Sequence, residues 1–399
     1  MIRFLLIILA VGIAFLTKYI NVPVLFEVSQ VISTTFVNLL KLVSIPTIFL
    51  SILSTMSGFN KFKDARMLVG GAVFYSLLTT AIAAVVGLLV YLVVSPSEGI
   101  AITGISDVIS SDVMNLSYGS HLLSLFPDNF VRVFLDNNII GCIMISFLLG
   151  AGCLFVDDEK REFLNKFFAA MFEVFLQAVG FITHLMPIAV WGFVTAFLYM
   201  PQSSEFSHSL TKYVFCIVVS NSIQAFIALP MFMKANGVPV MSTLKCVLPS
   251  LVTAFFSRSS VVALPVTIKC VNENFGECRK LSSFTLPLCA TINMNACAQF
   301  ILITVLFVCE TNAHVFSVAE IIMWVFLAIG VAVGNAGVPM GCYFMVMSCL
   351  VSMKVPLYVM GLILPIYAIL DMFETALNVW SDICVTRVIG KKQKATSVQ

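Results

Sequence analysis

The chain alternates long apolar blocks with short charged or Pro/Gly/Ser-rich breaks. Eight blocks are long enough to cross a bilayer as helices: Phe4–Ile20, Val31–Met56, Met67–Val94, Asn138–Val156, Phe167–Tyr199, Tyr213–Met233, Phe284–Val308 and Pro356–Val388. A crossing takes about 20 apolar residues, because about 30 Å of hydrocarbon is spanned at about 1.5 Å per residue. Two further apolar stretches behave differently. Val247–Ile268 is interrupted at its centre by Ser257-Arg258-Ser259-Ser260, and Phe316–Met353 by the run from Gly334 to Gly341. Ser95–Asn137 holds acids, serines and glycines and reads as a long loop with a partial helix.

Basic residues orient the blocks, since cytoplasmic loops are enriched in Lys and Arg. With the crossings counted in order, Lys61, Lys63, Arg66, Lys160, Arg161, Lys166, Lys234, Lys245, Lys269, Arg279, Lys280, Arg387, Lys391, Lys392 and Lys394 fall on one side. The opposite loops, Pro201–His208 and Glu310–His314, carry no Lys or Arg. Both termini are then cytoplasmic. Lys245 precedes Val247–Ile268 and Lys269 follows it, both on the cytoplasmic side. A simple crossing would separate them, so this segment is expected to be a re-entrant hairpin. Phe316–Met353 suits a second hairpin from the outer face, and two crossings joined by a tight turn are the other reading. Non-helical backbone at membrane depth is tolerated only where protein or a wet cavity surrounds it. Two hairpins meeting near the midplane resemble the broken-helix logic of secondary transporters.

Composition sets the class. The chain is 60% hydrophobic and 11% charged, against about 25% charged for a soluble domain. That excludes a soluble fold, a disordered chain and a nucleic-acid binder, and leaves lipid as the solvent. The formal charge of +2 says less than where the charges sit: with Arg3, sixteen of the 22 basic residues lie on the cytoplasmic side. The twelve cysteines lie mostly inside apolar runs, include no CxxC pair, and read as small packing residues rather than a disulfide framework. The four histidines form no HExxH, so no zinc site is expected. Met1–Leu16 has the basic residue and apolar run of a signal peptide but no clear cleavage site, and reads as a retained first span.

The densest polar signal lies in the last block. Asp371, Glu374, Thr375, Asn378 and Asp382 stand at offsets 0, 3, 4, 7 and 11. At about 100° per residue they share one stripe roughly 100° wide. An acid at the centre of a membrane helix costs about 2.5–3.5 kcal/mol, so three on one face imply cations, partners or water. A structural network satisfied by Arg258 is the bland alternative. Thr291-Ile292-Asn293-Met294-Asn295 forms a second polar cluster. With Asn378 and Asp382 it makes a cation cage of one carboxylate, amides and backbone oxygens. Ser259 and Ser260 sit where a half-helix would begin, with N–H groups that favour a carboxylate. Gly337, Pro339 and Gly341 mark the tip of the other hairpin. An aspartyl protease is a poor reading, because Asp371 and Asp382 lie about 16 Å apart along one helix.

Several motifs in one order carry a resemblance: Val43-Ser44-Ile45-Pro46-Thr47-Ile48-Phe49, Thr253 through Ser260, Leu264-Pro265-Val266-Thr267, Phe284 through Met294, Ala336-Gly337-Val338-Pro339, and Asn378 through Asp382. Together they resemble the dicarboxylate/amino acid:cation symporter family, the glutamate-transporter homologues. The resemblance implies an all-α polytopic membrane protein with eight transmembrane helices and two re-entrant hairpins. It also implies a homotrimer and an elevator motion of a transport domain against a scaffold. By position, 1–66 would be scaffold helices 1–2, 67–95 helix 3 of the transport domain, and 96–200 the loop with scaffold helices 4–5. Helix 6 would be 201–241, the transport core 242–391 and the cytoplasmic tail 392–399. Asp371 would hold the substrate ammonium and Asn378 its α-carboxylate, with Glu374 and Thr375 beside them. Ser259, Ser260 and the Val338, Pro339, Gly341 tip would close over that carboxylate. Asn293, Asn378, Asp382 and the backbone of Cys289 would form one cation site. Thr291 with the backbone of 332–335 would form another, and Thr79 and Thr80 would contribute to a further one. No cofactor is implied beyond Na+ or H+ as coupling ion. The implied partners are a small amino acid or dicarboxylate, lipid and two further copies, and the compartment is a plasma membrane, as in a bacterial inner membrane.

The departures bear on the substrate. Acidic-substrate members have an arginine where this chain has Glu374, Asn-Met-Asp where it has Asn293-Met294-Asn295, and a threonine at Cys297. Like charges about 4 Å apart repel by about 4 kcal/mol at an effective dielectric near 20, roughly a thousandfold in affinity. A neutral or cationic amino acid therefore fits an ionised Glu374 better than glutamate does. Burial disfavours a charged carboxyl, so Glu374 is also a candidate proton-coupling group. The alternative is a glutamate, aspartate or C4-dicarboxylate carrier in which Arg258 replaces the missing arginine.

Overall fold

The computed structural model describes residues 2–20, 22–58, 66–97, 128–135, 139–199, 203–275, 279–335, 337, 340–353 and 355–396. Among the described residues all regular structure is helical. The first three apolar blocks are α1 (Ile2–Ile20), α2 (Pro23–Ser57) and α3 (Arg66–Val94). The partial helix expected in the long loop is α4 (Phe130–Leu135), while residues 98–127 of that loop lie outside the described residues. The fourth block is α5 (Ile139–Cys153).

The fifth block needs correction. It is two helices, α6 (Asp158–His184) and α7 (Met186–Leu198), separated at Leu185. Pro187 in the first turn of α7 has no N–H to continue the α6 ladder, so the chain turns there. A second proline acts more gently. Between α8 (Ser203–Ile223) and α9 (Leu229–Ala235) lies one π-helical turn, Gln224–Ala228, just before Pro230. The wider turn absorbs the donor that proline lacks.

Both interrupted stretches are helix pairs. α10 (Val240–Ser257) ends where Arg258 takes a left-handed φ of 54°, and α11 (Ser260–Phe275) packs back along it. The seventh block is α12 (Arg279–Ile292) and α13 (Asn295–Thr311), opened at Asn293-Met294. α14 (Val318–Val333) starts on a capping box: Ser317 accepts from the Glu320 amide, and the Glu320 carboxylate accepts from the Ser317 amide. It ends before the glycine-rich break, and α15 (Gly341–Ser352) follows. α16 (Tyr358–Thr396) is the last helix.

The helices sort into two groups. α1, α2, α5, α6 and α7 pack around α2 and α7. α3 and α8 to α16 pack around α13 and α16, and α13 is buried along almost its whole length. The groups meet where α16 lies on α7, α15 on α2 and α14 on α5. Six helical stretches among the described residues are long and apolar enough to cross a membrane: Gly70–Val94, Asp158–Ile182, Phe206–Ala235, Val240–Ser257, Thr285–Thr311 and Tyr358–Gln393.

Candidate binding site

Three helix breaks converge. A Cβ placed on Gly337 would stand 3.0 Å from the Ala290 carbonyl oxygen, 3.2 Å from Ser260 Cβ and 3.4 Å from Met294 Cε. One glycine of the α14–α15 break therefore touches the α11 start and the α12–α13 break. Its φ of +67° and this close approach both require glycine. Ser259 Oγ donates to the Gly337 carbonyl at 3.4 Å. Met340, also left-handed at φ 61°, ends the break. The tip residues Val338 and Pro339 lie outside the described residues; Gly341 is buried at the start of α15.

The acidic face of α16 lies against this junction. Asp371 Oδ2 accepts from the Met340 N–H at 3.2 Å. The Tyr367 hydroxyl lies 3.4 Å from Asp371 Oδ1 and 3.3 Å from Glu374 Oε2. A phenol has one O–H to donate, so it serves one of these carboxylates at a time. Glu374 is 1% exposed, and its Oε1 has no hydrogen-bond partner among the described residues. The Thr375 hydroxyl is turned back on the Asp371 carbonyl at 2.7 Å.

One to two turns further along, the amide cluster closes on the end of the same stripe. Asn293 Nδ2 donates to Asp382 Oδ1 at 3.0 Å and to Ser381 Oγ at 2.8 Å. The Thr79 hydroxyl donates to Asn293 Oδ1 and the Thr80 hydroxyl to Asn295 Oδ1, each at 2.9 Å. Asn295 Nδ2 also reaches Ser381 Oγ. Asn378 accepts from the Ala296 N–H at 2.9 Å and points its Nδ2 at Cys297 Sγ, 3.2 Å away. Thr79, Thr80, Asn293, Asn295, Ser381 and Asp382 are thus joined, Asn378 is held separately beside them by Ala296 and Cys297, and all of these polar side chains are buried. Cys289 is buried beside Ser76, 3.6 Å away. Thr291 is not drawn into the cluster through its hydroxyl, which bonds the Leu288 carbonyl of its own helix. Carboxylate, amide and hydroxyl oxygens are hard donors suited to an alkali cation. No group of three His, Cys, Asp or Glu side chains close enough to hold a metal occurs among the described residues.

Sequence reading passed over several participants. Tyr367 lies four residues before Asp371 and continues its stripe, which was the available signal. Ser381 falls just off that stripe. The Met340 and Ala296 amides carry no sequence signal, because backbone donors are exposed only where a helix starts. One pair of cysteines stands apart from the packing expectation: Cys297 and Cys342, 45 residues apart in sequence, lie with their Cα atoms 5.6 Å apart, because each lies near the start of a helix that follows a break, α13 and α15.

Polytopic helices, broken segments that meet inside the protein, and acids clustered at that junction define a membrane transport protein. The chain belongs to the sodium:dicarboxylate symporter family, whose profile matches residues 3–392. It is 26% identical over 379 residues to neutral amino acid transporter B(0) of Bos taurus, covering 86% of this chain and 70% of that protein. It is 27% identical over 370 residues to an uncharacterized symporter of Haemophilus influenzae, covering 88% and 83%. Neutral amino acid transporter A of Homo sapiens is 29% identical over 263 residues, 65% of this chain and 49% of that protein. Members of this family are transporters rather than enzymes.

Proposed function

We propose that this chain carries a neutral or cationic amino acid into the cell by symport with sodium, protons or both. The observation that carries this reading is Glu374. It is a buried carboxylate with one unpartnered oxygen, on the helix face that also presents Asp371. A hydrogen-bond donor or a cation on the substrate side chain would supply the missing partner, and an acidic side chain would meet a like charge. The names of relatives that transport neutral amino acids agree with this choice. The dicarboxylate alternative needs Arg258 to offset Glu374, whose Oε1 has no hydrogen-bond partner among the described residues.

In this reading Asp371 takes the substrate ammonium. Asn378, with the Ser259, Ser260 and Val338–Gly341 backbone, takes its carboxylate. Asp382 with Asn293, Asn378 and the backbone of Cys289 holds a coupling cation, Thr291 lines a second site, and Thr79 and Thr80 contribute to a further one. Cation binding would draw Asn293 and Asp382 into place and so order the segment that the substrate completes. The α14–α15 hairpin would then seal the site, and the group around α13 and α16 would slide against the group around α2 and α7. Three copies would assemble through the outer group, in a plasma membrane with both termini cytoplasmic, eight crossings and two re-entrant hairpins.

Uptake of labelled serine, arginine and aspartate into proteoliposomes, under imposed sodium and pH gradients, tests the reading. A gradient should drive serine or arginine, and aspartate should compete weakly. Uptake indifferent to both gradients, or aspartate as the preferred substrate, would overturn it.

A further inference from the structure

The transport reading gives the sulfurs of Cys297 and Cys342, at two of the helix breaks, no role in binding substrate or cation. Cys297 opens the first turn of α13 and Cys342 the first turn of α15. Their Cα atoms are 5.6 Å apart, the spacing a disulfide commonly spans. Amide donors surround the sulfurs. Asn335 Nδ2 lies 3.1 Å from Cys297 Sγ and 3.3 Å from Cys342 Sγ, and Asn378 Nδ2 lies 3.2 Å from Cys297 Sγ. Such donors stabilise the charge that builds on sulfur as it attacks or leaves. Two of the three partners, Asn335 and Cys342, belong to the α14–α15 hairpin, and Cys297 belongs to the buried core helix.

We propose that Cys297 and Cys342 form a modification site, a dithiol that a hydroperoxide oxidises to a disulfide, tying the α14–α15 hairpin to α13 and arresting transport. One thiolate attacks a peroxide oxygen, the O–O bond breaks, and a sulfenic acid and water (or alcohol) result. The second thiol displaces the sulfenic hydroxyl as water, and the S–S bond forms. Two thiols lose two electrons and the peroxide gains them. A small oxidant suits the site, because both cysteines are 2% exposed. The covalent tie removes any state in which the hairpin parts from α13, and a gate that cannot open sets the turnover rate to zero. This consequence rests on the hairpin acting as the gate. The bond itself does not depend on that role.

The test treats the full-length protein in proteoliposomes with hydrogen peroxide and then with dithiothreitol. Serine uptake and alkylated peptides are followed in parallel, for the wild type and Cys342→Ser. Peroxide should lower wild-type uptake by about tenfold or more, as expected for a blocked conformational step, and dithiothreitol should restore it. A Cys297–Cys342 cross-linked peptide should appear and vanish in step. Uptake by Cys342→Ser, relative to its own untreated rate, should be insensitive to peroxide. Both thiols alkylated after peroxide, or a complete cross-link with uptake intact, would overturn the proposal. Untreated protein that carries nothing would sink the transport reading instead, and the peptide map would still decide whether the bond forms.

Discussion

The group around α13 and α16 differs from the group around α2 and α7 in what surrounds its helices. In the most apolar stretch of Thr285–Thr311 every residue is buried, against 6% for Asp158–Ile182. Both helices are long and apolar enough to span a membrane, yet one is wrapped in protein and the other is not. The wrapped group carries Asp371, Glu374, Asp382, Asn293 and Asn295 inside it. The outer helix α6 gathers its ion pairs at one end, where Lys160 pairs with Asp157 just ahead of the helix, Arg161 with Asp158 and Lys166 with Glu162, and carries one further acid, the exposed Glu173, near its middle. Its apolar face shows Phe163, Phe167, Val174 and Phe181 to the surroundings. Polar groups inside a membrane protein are affordable only where other protein atoms or water replace lipid. Burial thus sets apart the polar residues around α13 and α16, and exposure the apolar face of α6.

Substitutions that break this contrast should act in proportion to how deeply they lie. Glu374→Arg reverses the charge facing the substrate, so the aspartate-to-serine preference should shift toward aspartate, by up to about a thousandfold. Competition uptake measures it, and an unchanged profile removes Glu374 from the pocket. Asp382→Ala strips the carboxylate from Asn293 and leaves one of its buried amide hydrogens without an acceptor, the Ser381 and Thr79 bonds remaining. Losing a hydrogen bond to a charged group costs about 1.5–3 kcal/mol, so sodium-driven uptake should need about ten- to a hundredfold more sodium. A sodium titration of initial rates reads this directly.

Gly337→Ala should come next. The added methyl would press on the Ala290 carbonyl at a left-handed φ. Overpacking of about 1–3 kcal/mol predicts roughly tenfold slower uptake, and a rate near wild type would mean that the three breaks do not seat on one another. The smallest effect is expected at Phe181→Ala in the outer group, where the side chain is 73% exposed. Thermal stability should move by no more than about 0.5 kcal/mol. A larger loss would sharpen the comparison differently, by showing that this face is buried against another copy.

Much of the fold was legible along the chain, because lipid imposes a simple rule on composition. Segment length, the Lys and Arg loops and the two interruptions placed the helices and those two breaks, although α2, α6 and α8 begin eight to ten residues ahead of the expected Val31, Phe167 and Tyr213. The α6–α7 break escaped notice because Pro187 lies inside an unbroken apolar run. Asp371, Glu374, Asn378 and Asp382 were legible because acids and amides are conspicuous among apolar neighbours on a repeating helical face. Tyr367 was not, since an aromatic residue in a membrane helix looks like packing. Its hydroxyl becomes informative only when it lies between two carboxylates.

The amino-acid order alone determined the solvent, the helical class, the two breaks at 257–260 and 334–341 and the acidic stripe, since each follows from local hydropathy and a fixed helical period. Only the tertiary structure decided which breaks touch. It seated Gly337 on Ser260 and Ala290, gave Asp371 the Met340 amide, brought Thr79 and Thr80 to the two asparagines, and paired Cys297 with Cys342. Those contacts join residues up to 215 positions apart. They depend on the packing of whole helices, which no local pattern encodes.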